Sequence, residues 1–140
     1  MRPHTHSLHF DRFENVIAFA DPASGLRGFL ALHSTRLGPA MGGIRLWPYE
    51  RPDLALADAL RLSQAMTYKA ALAELRAGGG MAVIVDHPAL CREEAFTVFG
   101  HLVAGLEGRF FTGPDVGVTD EDLRAAARAS RGLSRLARAW

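Results

Sequence analysis

Residues 66–85 read MTYKAALAELRAGGGMAVIV and contain the end of a helix, a run of glycines and a buried strand. Upstream of this stretch, from Pro52 onward, small and apolar side chains recur with helical spacing at Leu56, Leu60, Ser63, Thr67 and Ala70. Three consecutive glycines at 78–80 predict the stop of this helix. Ala82–Val85 is an unbroken apolar run, which is typical of a strand covered on both faces. The stretch therefore predicts a helix that leads into an interior strand.

The remaining elements alternate between strand and helix, which predicts an α/β fold. A turn sequence at 21–25 separates two apolar runs and favours an antiparallel hairpin. Thr119 is a predicted helix N-cap, with Asp122 three residues later as an imperfect capping box. The predicted strands are Asn15–Ala20, Gly28–His33, Ile44–Trp47, Ala82–Val85 and Arg109–Phe111, and the second helix is Glu93–Leu106. We expect three α/β/α layers around a mostly parallel mixed sheet with right-handed crossovers and an antiparallel edge hairpin.

The composition fits one globular domain. With 140 residues, 49% of them hydrophobic, and a net charge of +1, the chain has the size of one core and no charge excess that attracts nucleic acid or a membrane. No apolar run approaches the ~20 residues that span a bilayer, and Met1–His6 lacks the apolar core of a signal peptide. The single Cys91 excludes an internal disulfide. We expect a cytoplasmic protein with an N-terminal arm at 1–13, a domain at 14–130 and a basic tail at 131–140.

Lys69 is the only lysine in a chain with fifteen arginines. An ammonium group is a compact charge that gives up its proton when its surroundings favour it, whereas a guanidinium keeps its proton. Lys69 precedes the glycine run, and Asp115 directly follows a predicted strand. Because ligands of such sheets collect beyond the carboxyl ends of the strands, we predict that Lys69 and Asp115 belong to a functional site.

Four motifs resemble those of the glutamate, leucine, phenylalanine and valine dehydrogenases. They are GPAMGG at 38–43, MTYK at 66–69, GGG at 78–80 and TGPDVG at 112–117, in the order and approximate spacing of that family. The match covers about residues 15–123 and corresponds to the N-terminal, substrate-binding and oligomer-forming half of those enzymes. Their reaction is the reversible deamination of an amino acid to a 2-oxo acid, with NAD or NADP bound by a Rossmann domain. That domain has no counterpart in these motifs, so we expect no cofactor-binding residue and no Rossmann domain here.

The resemblance also implies roles for individual residues. Lys69 matches the lysine that holds the substrate carboxylate, and Asp115 matches the acid that carries protons to and from the amino group. Gly42 and Gly43 match glycines that let a loop lie against the substrate. The lysine that activates water and polarises the carbonyl is replaced by Met81. Methionine neither carries charge nor moves a proton, and loss of such a group costs about 10²–10⁴ in rate.

Two further methionines bear on ligand choice. Glutamate dehydrogenases usually carry a lysine at the position of Met41, whereas the leucine and phenylalanine enzymes have an apolar residue there. Met41 therefore indicates the branched-chain or aromatic side of the family. Met66 is included among the substrate-binding residues, although its helical spacing also fits a plain core position.

Several features have simpler explanations. The glycine run alone is typical of a helix C-cap and tight turn. Asp115 and Lys69 would also satisfy each other as an ion pair. We expect His4, His6 and His9 to be solvated in a flexible arm rather than to bind a metal, and we assign no role to His33, His87 and His101. An arginine stripe at the C-terminus is more typical of a solvated helix face than of a membrane or nucleic-acid site, although it also suits a partner chain. Its members are Arg124, Arg128, Arg131, Arg135 and Arg138.

These observations favour a stand-alone, non-catalytic substrate-binding and oligomerisation domain that self-assembles or associates with a full-length dehydrogenase in a regulatory role. One alternative is a subunit of a split dehydrogenase whose Rossmann domain is a separate chain. Another is a module that binds an apolar amino acid or 2-oxo acid. In each case we expect a homo-oligomer, because the opening hairpin offers a sheet edge to a second copy.

Overall fold

The computed structural model describes residues 2–129, which form one mixed open sheet with helices on both faces. Within this range there are six strands and three helices. In chain order they are β1 His4–Leu8, β2 Asn15–Asp21, β3 Leu26–Leu32, β4 Ala40–Trp47, α1 Pro52–Leu72, β5 Gly78–Val85, α2 Arg92–Ala104, β6 Phe110–Pro114 and α3 Asp120–Ala127. The predicted α/β class with three layers is confirmed.

The strands are arranged in the order β1-β2-β3-β5-β4-β6. β4 lies parallel to both β5 and β6, as expected for strands joined by the crossover helices α1 and α2. The three other pairings, β1 with β2, β2 with β3 and β3 with β5, are antiparallel. The prediction of a mostly parallel sheet is therefore right for the β4–β5–β6 half only. The opening hairpin does not stay at the edge, because β3 docks directly on β5.

The predicted N-terminal arm contains a strand. β1 pairs with β2 from His4 opposite Ala20 to Leu8 opposite Val16, although four of its five side chains are exposed. The sequence HTHSL has no apolar face that would indicate a strand. Backbone hydrogen bonds to β2 place it in the sheet instead. The unpaired sheet edge on this side therefore belongs to β1, and not to the β2–β3 hairpin as predicted.

The two helix layers pack against the sheet at different depths. α2 and α3 cover one face through large side chains such as Phe96 and Phe99, which are fully buried. α1 covers the other face through small side chains, with Ala55, Ala59 and Ser63 fully buried. Because its contact residues are small, α1 lies unusually close to the strand beneath it. This closeness depends on the glycine run.

The glycine run lies inside β5 and is not the turn that ends the helix. α1 ends at Leu72, and the connection at 73–77 precedes β5, which begins at Gly78. A Cβ atom on Gly79 would lie 2.1 Å from the backbone nitrogen of Thr67 and 2.3 Å from the carbonyl oxygen of Ser63. The backbone of α1 therefore rests directly on β5 at Gly79. The predicted strand start at Ala82 was four residues late, because glycine has low strand propensity and only tertiary packing requires it here, against Ser34 at Gly78, α1 at Gly79 and Phe110 at Gly80.

The start of α3 carries the predicted capping box. The Thr119 hydroxyl accepts a hydrogen bond from the Asp122 backbone, and the Asp122 carboxylate accepts one from the Thr119 backbone. Asp122 is buried and is also held by the Arg92 guanidinium of α2. Burial alone would raise the pKa of Asp122, but the bonds from Arg92 and Thr119 outweigh it and lower that pKa.

The arginine stripe is described only in part. Arg124 lies in the last turn of α3, and the Arg128 Nη1 is 3.4 Å from Glu93 Oε1 of α2. Arg131, Arg135 and Arg138, with the rest of the predicted basic tail, lie outside the described residues. In the part of the chain from 2 to 129, no helix combines the length and apolarity needed to cross a membrane.

We predict that Gly79→Ala will lower the free energy of unfolding by about 3 kcal/mol or more, because the methyl group overlaps the backbone of α1 and neither element can move without disturbing the core. Gly105→Ala is the matched control. Its methyl group would meet only the flexible end of Arg2, at 3.1 Å, so we expect no loss of stability. Urea unfolding of both variants is the measurement, and equal midpoints would contradict the proposed close contact.

Candidate functional site

Two of the predicted site residues, Met66 of α1 and Asp115 after β6, lie beside a pair of glycines in β4, Gly42 and Gly43. A Cβ atom on Gly42 would lie 3.6 Å from Cγ of Met66, and one on Gly43 would lie 2.9 Å from Cβ of Asp115. Gly42 and Gly43, hereafter the glycine pair, therefore lie between Met66 of α1 and Asp115, which follows β6. The sequence separates these residues by up to 73 positions, and the parallel pairing of β4 with β6 brings them together.

Each member of the glycine pair is also required by packing. A side chain on Gly42 would strike the carbonyl oxygen of Gly80 at 1.6 Å, and one on Gly43 would displace Asp115. The predicted role of these glycines, to admit a ligand close to the backbone, stays a prediction. The structure adds that the same absence of side chains admits the neighbouring strand and the Asp115 carboxylate.

Lys69 lies in the last turn of α1 and is exposed to solvent. It follows Met66 by three residues, so both side chains leave the same side of the helix. Among residues 2–129, no carboxylate oxygen lies within 4.0 Å of the Lys69 ammonium. The alternative of a Lys69–Asp115 ion pair is therefore not found. The ammonium is available to an external anion.

Asp115 instead pairs with Arg45, which the sequence reasoning missed. The Arg45 Nε donates to Asp115 Oδ2 at 2.7 Å, and both side chains are largely shielded, with 22% and 32% of their surfaces exposed. Arg45 is the one charged residue in β4, whose sequence is AMGGIRLW. A charge in the middle of an otherwise apolar or small-residue strand was the signal that a partner had to exist.

Arg45 is part of a larger charged group that reaches α1. Its Nη1 lies 3.5 Å from Oδ2 of Asp58, and the Tyr49 hydroxyl donates to the same oxygen at 2.6 Å. The Arg61 Nη2 donates to the other Asp58 oxygen at 3.0 Å. We call Arg45, Asp58, Tyr49 and Asp115 the Arg45 network. It ties β4, α1 and the segment after β6 to one another.

These contacts shift the pKa values of three groups, those of Asp58, Tyr49 and Arg45. Burial would raise the pKa of Asp58, but bonds from Tyr49 and Arg61 and the charge of Arg45 lower it. Burial and the Asp58 carboxylate raise the pKa of the Tyr49 hydroxyl. Burial would lower the pKa of Arg45, and the bond to Asp115 outweighs it, so that pKa is raised. Asp58 is therefore an anion, Tyr49 is neutral and Arg45 is a cation at neutral pH.

Met81 belongs to the core between α1 and the sheet. It is 3% exposed and lies in an apolar cluster with Val16, Ala31, Ala55 and Ala59. The register that pairs Ile44 with Ala82 also places Gly43 of the neighbouring strand beside Met81. Met81 is thus one strand away from the Asp115 side chain that covers Gly43. Met41 precedes Gly43 by two residues on β4. It is half-buried and lies opposite Gly79 of β5 and Phe111 of β6.

A groove of about 520 Å³ lies beside the C-terminal half of α1. Its lining includes Phe13, His33, Thr67 and Tyr68. His33 Nδ1 and Thr67 Oγ1 are 2.8 Å apart, and burial lowers the pKa of His33 against a smaller opposing effect of Glu14. The structure thus gives His33 a hydrogen-bonded position that the sequence did not predict. Within residues 2–129, no group of three His, Cys, Asp or Glu side chains is placed to hold a metal ion.

The fold agrees with comparisons to known proteins. Residues 13–131 match the family model of the Glu/Leu/Phe/Val dehydrogenase dimerisation domain. Phenylalanine dehydrogenase of Thermoactinomyces intermedius is 46% identical over 133 residues, which cover 93% of this chain and 36% of that protein. Leucine dehydrogenase of Bacillus subtilis is 47% identical over 112 residues, which cover 79% of this chain and 31% of that protein. The chain belongs to the glutamate/leucine/phenylalanine/valine dehydrogenase family, as the resemblance implied.

Two solved structures share the fold. L-Tryptophan dehydrogenase from Nostoc punctiforme matches with a TM-score of 0.81 and 42% identity, over 86% of this chain and 36% of that one. A hetero-hexameric glutamate dehydrogenase from Thermus thermophilus, in its leucine-bound form, matches with a TM-score of 0.63 and 26% identity, over 91% of this chain and 30% of that one. The chain spans about a third of the length of the relatives it matches.

We predict that Met81→Lys will destabilise the protein by about 3 kcal/mol at pH 6, because it places an amine in the apolar cluster. Burial lowers the pKa of that amine below its unfolded value of about 10.4, so the unfolded state binds more protons and stability rises with pH. The penalty should therefore shrink towards pH 10. Urea unfolding at both pH values is the measurement, with Met81→Leu as the uncharged control.

The opposite result is equally informative about position 81. A penalty below about 1 kcal/mol that does not change with pH would mean that the amine reaches Asp115 across Gly43. Position 81 would then face the glycine pair rather than the core.

Proposed function

We propose that this dimerisation domain binds an apolar amino acid or its 2-oxo acid and assembles with other chains, without catalysing deamination by itself. The observation that carries the proposal is that one of the two expected lysines, Lys69, is present and exposed, whereas the other is replaced by Met81. Lys69 is solvent-exposed and has no carboxylate partner in residues 2–129, whereas position 81 holds a buried methionine. The first group suffices to hold a carboxylate, and the second removes the proton transfer that deamination needs.

The ligand class is supported by the chemistry of the predicted site residues. Lys69 offers a single ammonium to a carboxylate, and Asp115 offers a carboxylate oxygen to an amino group. Met41 and Met66 are half-buried, flexible and apolar, which suits an aliphatic or aromatic side chain rather than an acidic one. The relatives act on phenylalanine, leucine and tryptophan by their names, and this class is the one we propose here.

We further propose that the glycine run at 78–80 does not hold a nicotinamide cofactor. Dinucleotides bind a glycine-rich turn that opens the N-terminus of a helix. Here the glycine run lies inside β5, and the spaces beside it are filled by Ser34, Thr67 and Phe110. We therefore assign no hydride-transfer step to these residues.

Assembly is supported by the exposed edge of β1. Its outer side pairs with no other strand in the described part of the sheet, so its backbone groups are available to a second strand. The glutamate dehydrogenase from Thermus thermophilus is hetero-hexameric, which shows that a relative combines unlike subunits. We propose that the partner is a second copy of this chain or a full-length dehydrogenase, whose activity the contact regulates.

A second candidate is the substrate-binding subunit of a split dehydrogenase. It is favoured by the retention of Lys69, whose exposed ammonium has no carboxylate partner within residues 2–129 and so no structural ion pair to maintain there. In that case a separate Rossmann-domain chain supplies NAD or NADP, together with a group that replaces the missing lysine. Turnover of leucine or phenylalanine by a mixture of the two chains would favour this candidate over a regulatory role.

We expect leucine, phenylalanine or their 2-oxo acids to bind the protein, and Lys69→Ala to weaken binding by about 10-fold or more because it removes a charge-assisted bond. Isothermal titration calorimetry measures this. Arg27→Ala is the control, since it removes an exposed positive charge from β3, away from the glycine pair. Binding that survives Lys69→Ala, or that responds equally to Arg27→Ala, would refute the role of Lys69. Preference for glutamate would refute the apolar class.

Self-association through β1 predicts different effects of two proline variants. Neighbouring residues of an edge strand point their N–H groups to opposite sides, so one of Thr5→Pro and His6→Pro removes an outward donor and the other breaks the β1–β2 ladder. The outward variant should dissociate the oligomer and keep its melting temperature, whereas Thr5→Ala and His6→Ala should do neither. Native mass spectrometry gives the subunit number.

The same spectrum identifies the partner when the protein is purified from its own host. A mass equal to a multiple of this chain supports the homo-oligomer, and a mass that includes a dehydrogenase supports the regulatory complex. A monomer at tens of micromolar, unaffected by either proline, would contradict assembly through this edge.

A further inference from the structure

The position of Asp115 depends on residues that lie outside the predicted site. Asp115 follows the last residue of β6 and belongs to a loop, where a carboxylate normally samples several rotamers. Here its Oδ2 is held by the Nε of Arg45 at 2.7 Å. Among residues 2–129, its Oδ1 accepts no hydrogen bond. One oxygen is therefore fixed, and the other remains for a ligand.

Arg45 is in turn held by α1. Its guanidinium reaches Asp58 at 3.5 Å, and Asp58 is fixed by Tyr49 and Arg61. A long arginine side chain anchored at two carboxylates loses most of its rotamer freedom, so it acts as a brace rather than as a mobile counterion. The charges facing Arg45 are Asp115 from the segment after β6 and Asp58 from α1, with the neutral Tyr49 hydroxyl between β4 and α1.

The brace joins the two halves of the predicted ligand site through a single helix. Asp58 and Lys69 both lie on α1 and are separated by roughly 16 Å along a rigid helix axis. Between them, the contact at Gly79 fixes the helix against β5. Arg45 thus connects Asp115 to the same rigid body that carries Lys69. The spacing between the two charged groups is set by β4, β5 and α1 together and not by the loop.

We propose that Arg45 is a positioning residue, which orients Asp115 so that its Oδ1 receives the amino group of a ligand whose carboxylate is held by Lys69. This inference rests on the ligand class proposed above. It assigns to the Arg45 network the orientation of the Asp115 carboxylate, which neither Lys69 nor the glycine pair contacts through a hydrogen bond. It also distinguishes Arg45 from a plain structural ion pair, because the effect of losing it should depend on whether the ligand carries an amino group.

The ligand arm of the test compares an amino acid with its des-amino analogue, leucine with 4-methylpentanoate, by calorimetry. Arg45→Gln should weaken leucine binding by about 10-fold or more, because the Asp115 carboxylate is no longer held through its Oδ2, and 4-methylpentanoate binding by less than about 3-fold. Arg45→Lys should restore part of the leucine affinity, since it keeps the charge without the side-on Nε. Arg27→Gln, which removes an exposed arginine of β3 outside the Arg45 network, should leave the ratio unchanged.

A ligand-free arm keeps the inference separate from the proposed function. Urea midpoints of Arg45→Gln, Asp115→Asn and the double variant form a cycle, and coupled residues give shifts that do not add. Additive shifts would overturn the positioning role even if leucine binds. Equal weakening of leucine and 4-methylpentanoate would overturn it as well, since Arg45 would then act only through its charge. Failure of the wild-type protein to bind any of these ligands, with a coupled cycle, would refute the proposed ligand and leave Arg45 as the residue that orients Asp115.

Discussion

The approach of α1 to β5 at Gly79 is the contact on which the other features of this domain depend. A helix that rests on a strand backbone leaves no room for a side chain on the strand beneath it, so the contact consists of Gly79 on β5 and the small residues Ser63 and Thr67 on α1. This close contact brings Met66 next to Gly42 and fixes the distance between the sheet and the last turn of α1, which carries Lys69. The site is therefore a consequence of core packing, and a single methyl group at Gly79 would move it.

Arg45 solves a second problem that the packing creates. β4 is flanked by β5 and β6, and a charge in such a strand is costly unless it is paired. Two carboxylates from different elements supply the pairing, Asp58 from α1 and Asp115 from the segment after β6. The cost of burying the charge is thus offset by contacts that also hold Oδ2 of Asp115 at the Arg45 Nε. Met81 differs from Arg45 in this respect, because it is an uncharged side chain of the apolar core and needs no ionic partner.

The patterns that are local in sequence predicted their elements well. The periodicity of α1 from Pro52, the turn at 21–25 and the Thr119 capping box are each determined by residues within a few positions, and all three occur in the structure. The family motifs also predicted the family and the fold class. β1 was missed because its strand character lies in hydrogen bonds to β2, and the start of β5 was misplaced because Gly78–Gly80 have no propensity that indicates a strand.

The sequence by itself determined the class of fold, the family and the set of polar residues available for a ligand, because these depend on residue type and order. The tertiary structure decided how those residues combine. Only the parallel pairing of β4 with β6 places Asp115 over Gly43. The same pairing brings Arg45, and not Lys69, within hydrogen-bond distance of Asp115. Charge pairing depends on distances of a few ångströms, and residues 70 positions apart acquire such distances only when the sheet has formed.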